Sequence, residues 1–303
     1  MDIYLPIAGQ SVNALLIVLL GFLVGLLSGM FGVGGGFLTT PLLIFYGIPP
    51  TVAVASATTQ ITGASVSGVM VHMRRGGVDL KMGGVMIAGG LAGSFVGAAL
   101  FRLLQTTGQI DVVIGFLYVL ILGWIGCLMV ADSLKTLGYI KTPAPETPRP
   151  RHNRWVASLP YRWRFHASGL FISPLAPLAL GFIAGMLTVF LGIGGGFILV
   201  PAMIYLLGMP ARVVIGTSLV MILSVSAATT MVHALTTRAV DIVLAALLLA
   251  GGVIGAQYGA LLTLRIKPDL LRLALGAIIL LVALRMLLGL AWHPDEIYSI
   301  EYL

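Results

Sequence analysis

Ten hydrophobic segments divide most of the chain, at about 12–31, 36–47, 51–72, 80–104, 110–134, 169–191, 196–207, 211–235, 241–264 and 270–291. Several reach the roughly 20 residues that a helix needs to cross the hydrocarbon core of a bilayer. The solvent of such a chain is lipid, which offers no partner to a backbone N–H or C=O, so each must be satisfied within the protein. Only 9% of the residues are charged, whereas soluble domains carry about 25%. Strands of a transmembrane barrel alternate in hydrophobicity over about ten residues, and the run Leu15 to Leu27 does not alternate. The expected fold class is an all-α polytopic membrane protein.

Between the fifth and sixth segments the composition changes. From Lys135 to Arg164 the chain is basic and proline-rich, with Pro143, Pro145, Pro148, Pro150 and Pro160 opposing a regular helix. The expected organisation is an N-terminal transmembrane repeat over 1–134, a basic cytoplasmic linker over 135–168 and a C-terminal transmembrane repeat over 169–303. Duplication is visible in the letters. Gly21 to Pro41 (GFLVGLLSGMFGVGGGFLTTP) matches Gly181 to Pro201 (GFIAGMLTVFLGIGGGFILVP) at 10 of 21 positions, at an offset of 160. Gly89 to Ala98 matches Gly251 to Ala260 at 5 of 10, at an offset of 162.

Positive residues favour the cytoplasmic side of a membrane protein. With five segments per half and the linker inside, 14 of the 17 basic residues fall on the cytoplasmic side, leaving Arg102, Arg238 and Arg285 outside. Merging each short second segment with the helix before it gives 12 against 5. The five-segment count also inverts the second half relative to the first, the inverted-repeat plan of many secondary transporters. Both termini are then periplasmic, next to Asp2 at one end and Asp295, Glu296 and Glu301 at the other. A re-entrant hairpin has the same parity as two crossings, so charge alone leaves the short segments undecided. No Lys or Arg precedes Arg74, so the charged start of a secretory signal is missing and the first segment is expected to stay in the mature protein. The net charge of +7 sits in loops, with no basic domain that could bind nucleic acid.

Inside the apolar sequence two motifs stand out: GVGGGF at Gly32 to Phe37 and GIGGGF at Gly192 to Phe197, each followed four residues later by proline, Pro41 and Pro201. Each glycine weakens a helix by about 1 kcal/mol relative to alanine, so each motif is expected to break its helix within a helical hairpin. A break creates a helix N-terminus whose N–H groups and dipole favour an anion, and paired breaks in mirrored halves point to a transporter site. The other reading is a tight hairpin with close packing and no ligand. Neither motif has the GK[ST] ending of a phosphate loop or the strand–turn–helix setting of a dinucleotide fold.

The segments after the hairpins are polar without being charged: Ser56, Thr58, Thr59, Gln60, Thr62, Ser65 and Ser67 in one, Thr217, Ser218, Ser224, Ser226, Thr229 and Thr230 in the other. Hydroxyls and an amide can donate to anionic oxygens without a buried cation, although back-bonding within the helix or bonds between helices account for any single one. The expected substrate-binding set is Gly34, Gly35, Gly36, Thr58, Gln60, Gly194, Gly195, Gly196, Thr217 and Ser218, with no catalytic residue, metal or cofactor. Gly89, Gly93 and Gly97, mirrored by Gly251, Gly255 and Gly259, are expected to let helices pack closely. Asp79 and Asp241 are expected as helix N-caps. His72 and His233 suit a proton relay but are read as interfacial, Cys127 is read as a small buried hydrophobe, and Trp155 and Trp163 as headgroup anchors.

Paired GxGGGF motifs in two mirrored halves, each followed by proline and joined by a basic loop, resemble the TauE/SafE family of membrane permeases, also called sulfite exporters. The resemblance covers the chain except the linker and the C-terminal tail. It implies export of a small anion, sulfite or an organosulfonate such as sulfoacetate, across the bacterial inner membrane. The implied partners are that anion and the lipid bilayer, not nucleic acid, and a homodimer is compatible with the pattern. The second copy departs from the first: Thr39 and Thr40 become Leu199 and Val200, and SATTQ at Ser56 to Gln60 becomes TSLVM at Thr217 to Met221. Two alternatives stay open, a carrier or channel for another small anion and an intramembrane enzyme. For the enzyme, Ser65 and His72 lie seven residues apart, about 10 Å along a helix, so His233 would have to supply the base.

Overall fold

In a computed structural model the described residues are 2–31, 36–74, 76–136, 160–165, 167–263 and 268–291. The first half starts with a small antiparallel hairpin, β1 (Asp2–Leu5) and β2 (Gln10–Asn13). Five helices follow: α1 (Ala14–Phe31), α2 (Gly36–Phe45), α3 (Pro50–Arg74), α4 (Leu80–Thr106) and α5 (Ile110–Thr136). The second half repeats the order with β3 (Trp163–Phe165), β4 (Leu170–Ile172), α6 (Leu175–Leu191), α7 (Gly196–Tyr205), α8 (Ala211–Val232), α9 (Ile242–Thr263) and α10 (Pro268–Ala291). A single wider turn, His233–Thr237, continues α8. Five helices are long and apolar enough to cross a membrane, and the fold is the expected all-α polytopic one.

The hairpins were not expected, and they lengthen the visible repeat. Leu5 and Phe165 are both buried, Gly9 and Gly169 both take positive φ, 68° and 65°, and Asn13 and Ser173 both accept through their side chains from an N–H at the start of the next helix. Asn13 Oδ1 accepts from the N–H groups of Leu15 and Leu16 at 3.1 and 3.4 Å, and Ser173 Oγ from that of Leu175 at 3.3 Å. All three pairs share the 160-residue offset of the glycine motifs. Trp163, expected as a headgroup anchor in the linker, belongs to β3, with Lys81 Nζ 5.3 Å from its ring centroid.

Hairpin contacts define the two ends of the bundle. At one end Leu5 and Val12 pack with Ile17 at the start of α1, Leu43 at the close of α2 and Ile48 and Val52 before and within α3, and Asn13 N–H donates to Tyr46 Oη at 3.4 Å. α2 therefore returns to the end from which α1 sets out. Its 10 residues measure about 15 Å, half of a hydrocarbon core of roughly 30 Å. The α1–α2 pair is a hairpin that returns to its starting end, and α6–α7 is its counterpart at the opposite end, where Phe165, Ile172, Met203, Leu207 and Met209 pack together. Between the ends α3 spans 25 residues, about 37 Å.

The halves interleave. α1 lies along α9, α4 along α6, α3 along α8 and α5 along α10. The first two pairs are parallel and built on the expected glycine stripes: a Cβ on Gly93 would fall 2.0 Å from Phe182 O, and one on Gly255 2.1 Å from Phe22 O. The last two are antiparallel. Gly68 opposes Leu219 and Thr62 reaches Thr230, while Gly115 opposes Leu290 and Gly126 opposes Leu280. Exchanging the halves leaves this pairing unchanged.

Asp79 and Asp241 are the expected caps, and they also fasten one half to the other. Asp79 Oδ1 accepts from Met82 N–H at 3.0 Å and its Oδ2 from Ser168 N–H at 3.0 Å and Ser168 Oγ at 2.8 Å, while its own N–H donates to Thr217 Oγ1 at 2.9 Å. Asp241 accepts from the N–H groups of Val243, Leu244 and Ile7, and its N–H donates to Ser56 Oγ at 3.3 Å. On the outer face Phe116, Leu120, Trp124 and Leu128 form an exposed apolar stripe at four-residue spacing along α5, a surface suited to lipid. Cys127, expected to be buried, is exposed on the same helix. Lipid-facing and core positions are equally apolar, so hydropathy cannot separate them.

Gly93→Val and Gly255→Val should each drive α4 from α6 or α1 from α9, at a cost of about 2 kcal/mol or more. Gly123, where an added Cβ meets nothing within 4 Å, should accept alanine with no loss. Thermal unfolding of the three purified variants in detergent checks both expectations.

Candidate functional site

The second glycine motif is fully described and is a helix break. Gly192 ends α6 in the left-handed conformation at φ 64°, its N–H bound to Thr188 O at 2.9 Å. Gly194 and Gly195 follow at φ 70° and 73°, and Gly196 opens α7. Three positive-φ residues within four positions are open to glycine and strained for side chains. Of the first motif, Gly34 and Gly35 lie outside the described residues; α1 ends at Phe31 and α2 opens at Gly36.

The starts of α2 and α7 meet. Phe37 and Phe197, equivalent by the repeat, stack with centroids 4.6 Å apart and planes within 6°, a contact worth about 1 kcal/mol beyond burial. A Cβ on Gly36 would lie 2.7 Å from Gly192 O and 2.0 Å from Ile61 Cδ1, and one on Gly192 2.6 Å from Val54 O. Around Gly194 the walls are Ile61, Ile222 and Ser226.

A helix that stops leaves its last carbonyls without internal partners. Here three other helices supply donors. Thr40 Oγ1, from α2, donates to Leu191 O at 3.2 Å, and the hydroxyl of Tyr118, from α5, donates to the same oxygen. His233, at the close of α8, places Nε2 3.2 Å from Val189 O and Nδ1 3.4 Å from Thr237 Oγ1, with the Phe101 ring edge-on. His233 is thus a buried cap, not the interfacial residue expected, while His72 is half-buried. Nor does His233 stand as a base beside Ser65. Thr40, Tyr118 and His233 were not among the expected site residues. A lone tyrosine in an apolar run, and a Thr-Thr pair directly after GGGF, were the available signals.

The expected polar side chains are engaged in different ways. Thr58 is fully buried and close to the break, but its hydroxyl donates to Val54 O at 2.8 Å, the same carbonyl that abuts Gly192. Thr217 donates to Val213 O at 2.7 Å and accepts from Asp79 N–H, which places it at the start of α4 rather than at the break. Ser218 donates to Ile215 O at 3.0 Å. Gln60 turns to α9, its Nε2 3.4 Å from Leu248 O and its Oε1 buried without a partner. Among the described residues no three His, Cys, Asp or Glu gather where they could hold a metal.

Helices broken inside an apolar bundle, facing one another from two interleaved halves, define a polytopic membrane transporter. The chain belongs to the family described as Sulfite exporter TauE/SafE, whose profile matches residues 17–286. It is similar to the probable membrane transporter protein YunE of Bacillus subtilis (strain 168), 24% identical over 287 residues covering 90% of this chain and 96% of that one. It is also similar to the probable membrane transporter protein YjnA of the same organism, 28% identical over 271 residues, 89% of this chain and 98% of that one. Over a shorter stretch of 56 residues it is 45% identical to Sulfite exporter TauE/SafE family protein 6 of Arabidopsis thaliana, covering 18% and 13% of the two chains. No solved structure matches it.

Tyr118→Phe and Thr40→Val should each cost about 1 kcal/mol, the net worth of a buried hydrogen bond, and the double variant more than the sum, because Leu191 O is then left bare. A double-mutant cycle in thermal or urea unfolding measures this; additive losses would show that the carbonyl finds another donor.

Proposed function

We propose that the protein is a secondary transporter exporting a small anion, sulfite or an organosulfonate such as sulfoacetate, across the bacterial inner membrane. The observation that carries the reading is the break at Gly192 to Gly196. It places the N-terminus of α7, with its outward N–H groups and positive dipole end, against α2 at the centre of interleaved halves. The family's name supplies sulfite as the substrate. In this reading Gly34 to Gly36 and Gly194 to Gly196 hold the anion through backbone N–H groups. Thr58, Gln60 and Ser218 are its proposed polar surroundings, the hydroxyls turning from their own carbonyls when the anion arrives, while Thr217 stays with Asp79. No fixed cation neutralises the ligand, so binding is modest and release easy, as suits an exporter.

We read the halves as inverted repeats about an axis in the membrane plane, with domains over 1–134 and 169–303. The antiparallel α3–α8 and α5–α10 pairs and the parallel α1–α9 and α4–α6 pairs support this, because a two-fold perpendicular to the helices generates that combination. The end of the bundle carrying Arg74, Lys81 and Arg164 is then cytoplasmic, and both termini are periplasmic. An inside-negative potential drives an anion outward with about 2.3 kcal/mol per charge per 100 mV, so export along it needs no further energy source.

Purified protein in liposomes should carry sulfite in a saturable manner with counterflow. Gly195→Val should abolish flux, since valine strains at φ 73° and shields the neighbouring N–H groups, while Cys127→Ala should transport normally. Wild-type flux in the Gly195 variant would make the hairpins purely structural. A reporter active only in the cytoplasm, fused after Leu303, should stay silent, and activity there would overturn the inverted arrangement.

A further inference from the structure

We infer that Ser226 is a direct ligand of the transported anion, and that the break at Gly194 selects a compact, fully anionic oxyanion head over a zwitterion. The inference rests on the proposed transport function and adds to it a residue and a substrate class.

Hydroxyls are plentiful in α3 and α8, and six of them spend their hydrogen on their own helix. Thr58, Thr59 and Thr62 donate to the carbonyls of Val54, Ala55 and Thr58. Thr217, Ser218 and Ser224 donate to those of Val213, Ile215 and Val220. Ser226 is different. It is fully buried, yet its Oγ has no hydrogen-bond partner, a state that costs the full desolvation of the group. It also faces the break: a Cβ built on Gly194 would lie 3.3 Å from Ser226 Oγ. Directly beyond is the first turn of α7, a helix of 10 residues whose opening N–H groups have no partner within the helix. An orphan hydroxyl and a helix N-terminus thus converge on one spot, and what both lack is an acceptor.

Apart from the oxygen of Ser226 itself, the groups named around this spot offer little to a cation. Three of the carbonyls closing α6 are already engaged, Thr188 O by Gly192 N–H, Val189 O by His233 and Leu191 O by Thr40 and Tyr118. The remaining walls, Ile61 and Ile222, are apolar and stand within 3.0 Å of the Gly194 Cβ position. A sulfite or sulfonate head fits such a site through its oxygens. An aminosulfonate brings an ammonium group that would be buried with no carboxylate beside it and only the Ser226 oxygen to accept from it, at a high cost.

Binding of sulfite, methanesulfonate and taurine to purified full-length protein, by calorimetry, together with the unfolding temperature without ligand, tests this. Ser226→Ala should weaken sulfite and methanesulfonate binding about tenfold or more, the loss of a hydrogen bond to a charged group. Its ligand-free unfolding temperature should be unchanged or higher, because an unsatisfied hydroxyl has gone. Ser224→Ala, whose lost hydroxyl donates to Val220 O, should bind like the wild type, and Ser226→Cys, which keeps a weak donor, should lie between. Taurine should bind far more weakly than methanesulfonate. Unchanged sulfite affinity in Ser226→Ala overturns the role of Ser226 while leaving the transport reading standing. Equal binding of taurine and methanesulfonate overturns the selection against a zwitterion. A wild-type protein that binds none of the three overturns both this inference and the proposed substrate class.

Discussion

A helix that stops inside lipid leaves one set of carbonyls and one set of amides with no water to turn to, and the rest of this structure is arranged around that difficulty. At the break after α6 the two sets are treated differently. The carbonyls of Thr188, Val189 and Leu191 are met by donors from within the protein, three of them side chains from α2, α5 and α8. The amides that open α7 face Ser226 and the apolar walls of Ile61 and Ile222. The protein thus neutralises the negative end of the interruption and leaves the positive end available.

Holding such an interruption in place requires close support on every side, and the interleaved halves provide it. Glycine stripes let α4 and α6, and α1 and α9, approach until backbone touches backbone. This suits a medium in which van der Waals contact replaces the hydrophobic effect between helices. Asp79 and Asp241 do the same work at the two ends, each capping a helix of one half while receiving or giving bonds to the other.

Much of this was legible in the letters, and the limits have physical causes. Segment spacing gave the helices because lipid imposes a minimum length. The duplicated GxGGGF gave the break, since consecutive glycines in apolar sequence have few other uses. The stripes at Gly89 and Gly251 and the caps at Asp79 and Asp241 followed from spacing and position. The β1–β2 and β3–β4 hairpins escaped because they are three or four residues per strand and share only a turn glycine and a cap across the repeat. Cys127 was misplaced because lipid and core look alike to a hydropathy scale. The choice among hydroxyls was invisible for a different reason. Thr58 and Ser226 are equivalent as residue types, and only the coordinates show that one has given its hydrogen to Val54 O and the other has kept it.

The two hairpins are matched in backbone but not in their fastenings. Thr40 holds Leu191 O, whereas its counterpart in the second hairpin, Val200, has no hydroxyl to offer the first. Tyr118 likewise falls opposite Ile279 or Leu280. If the halves trade conformations during a transport cycle, the two end states differ by a pair of hydrogen bonds, about 2 kcal/mol, or a population ratio on the order of tenfold or more. A machine with near-perfect mirror geometry would idle equally on both sides of the membrane. Under that exchange, two hydroxyl groups would give this protein a resting side.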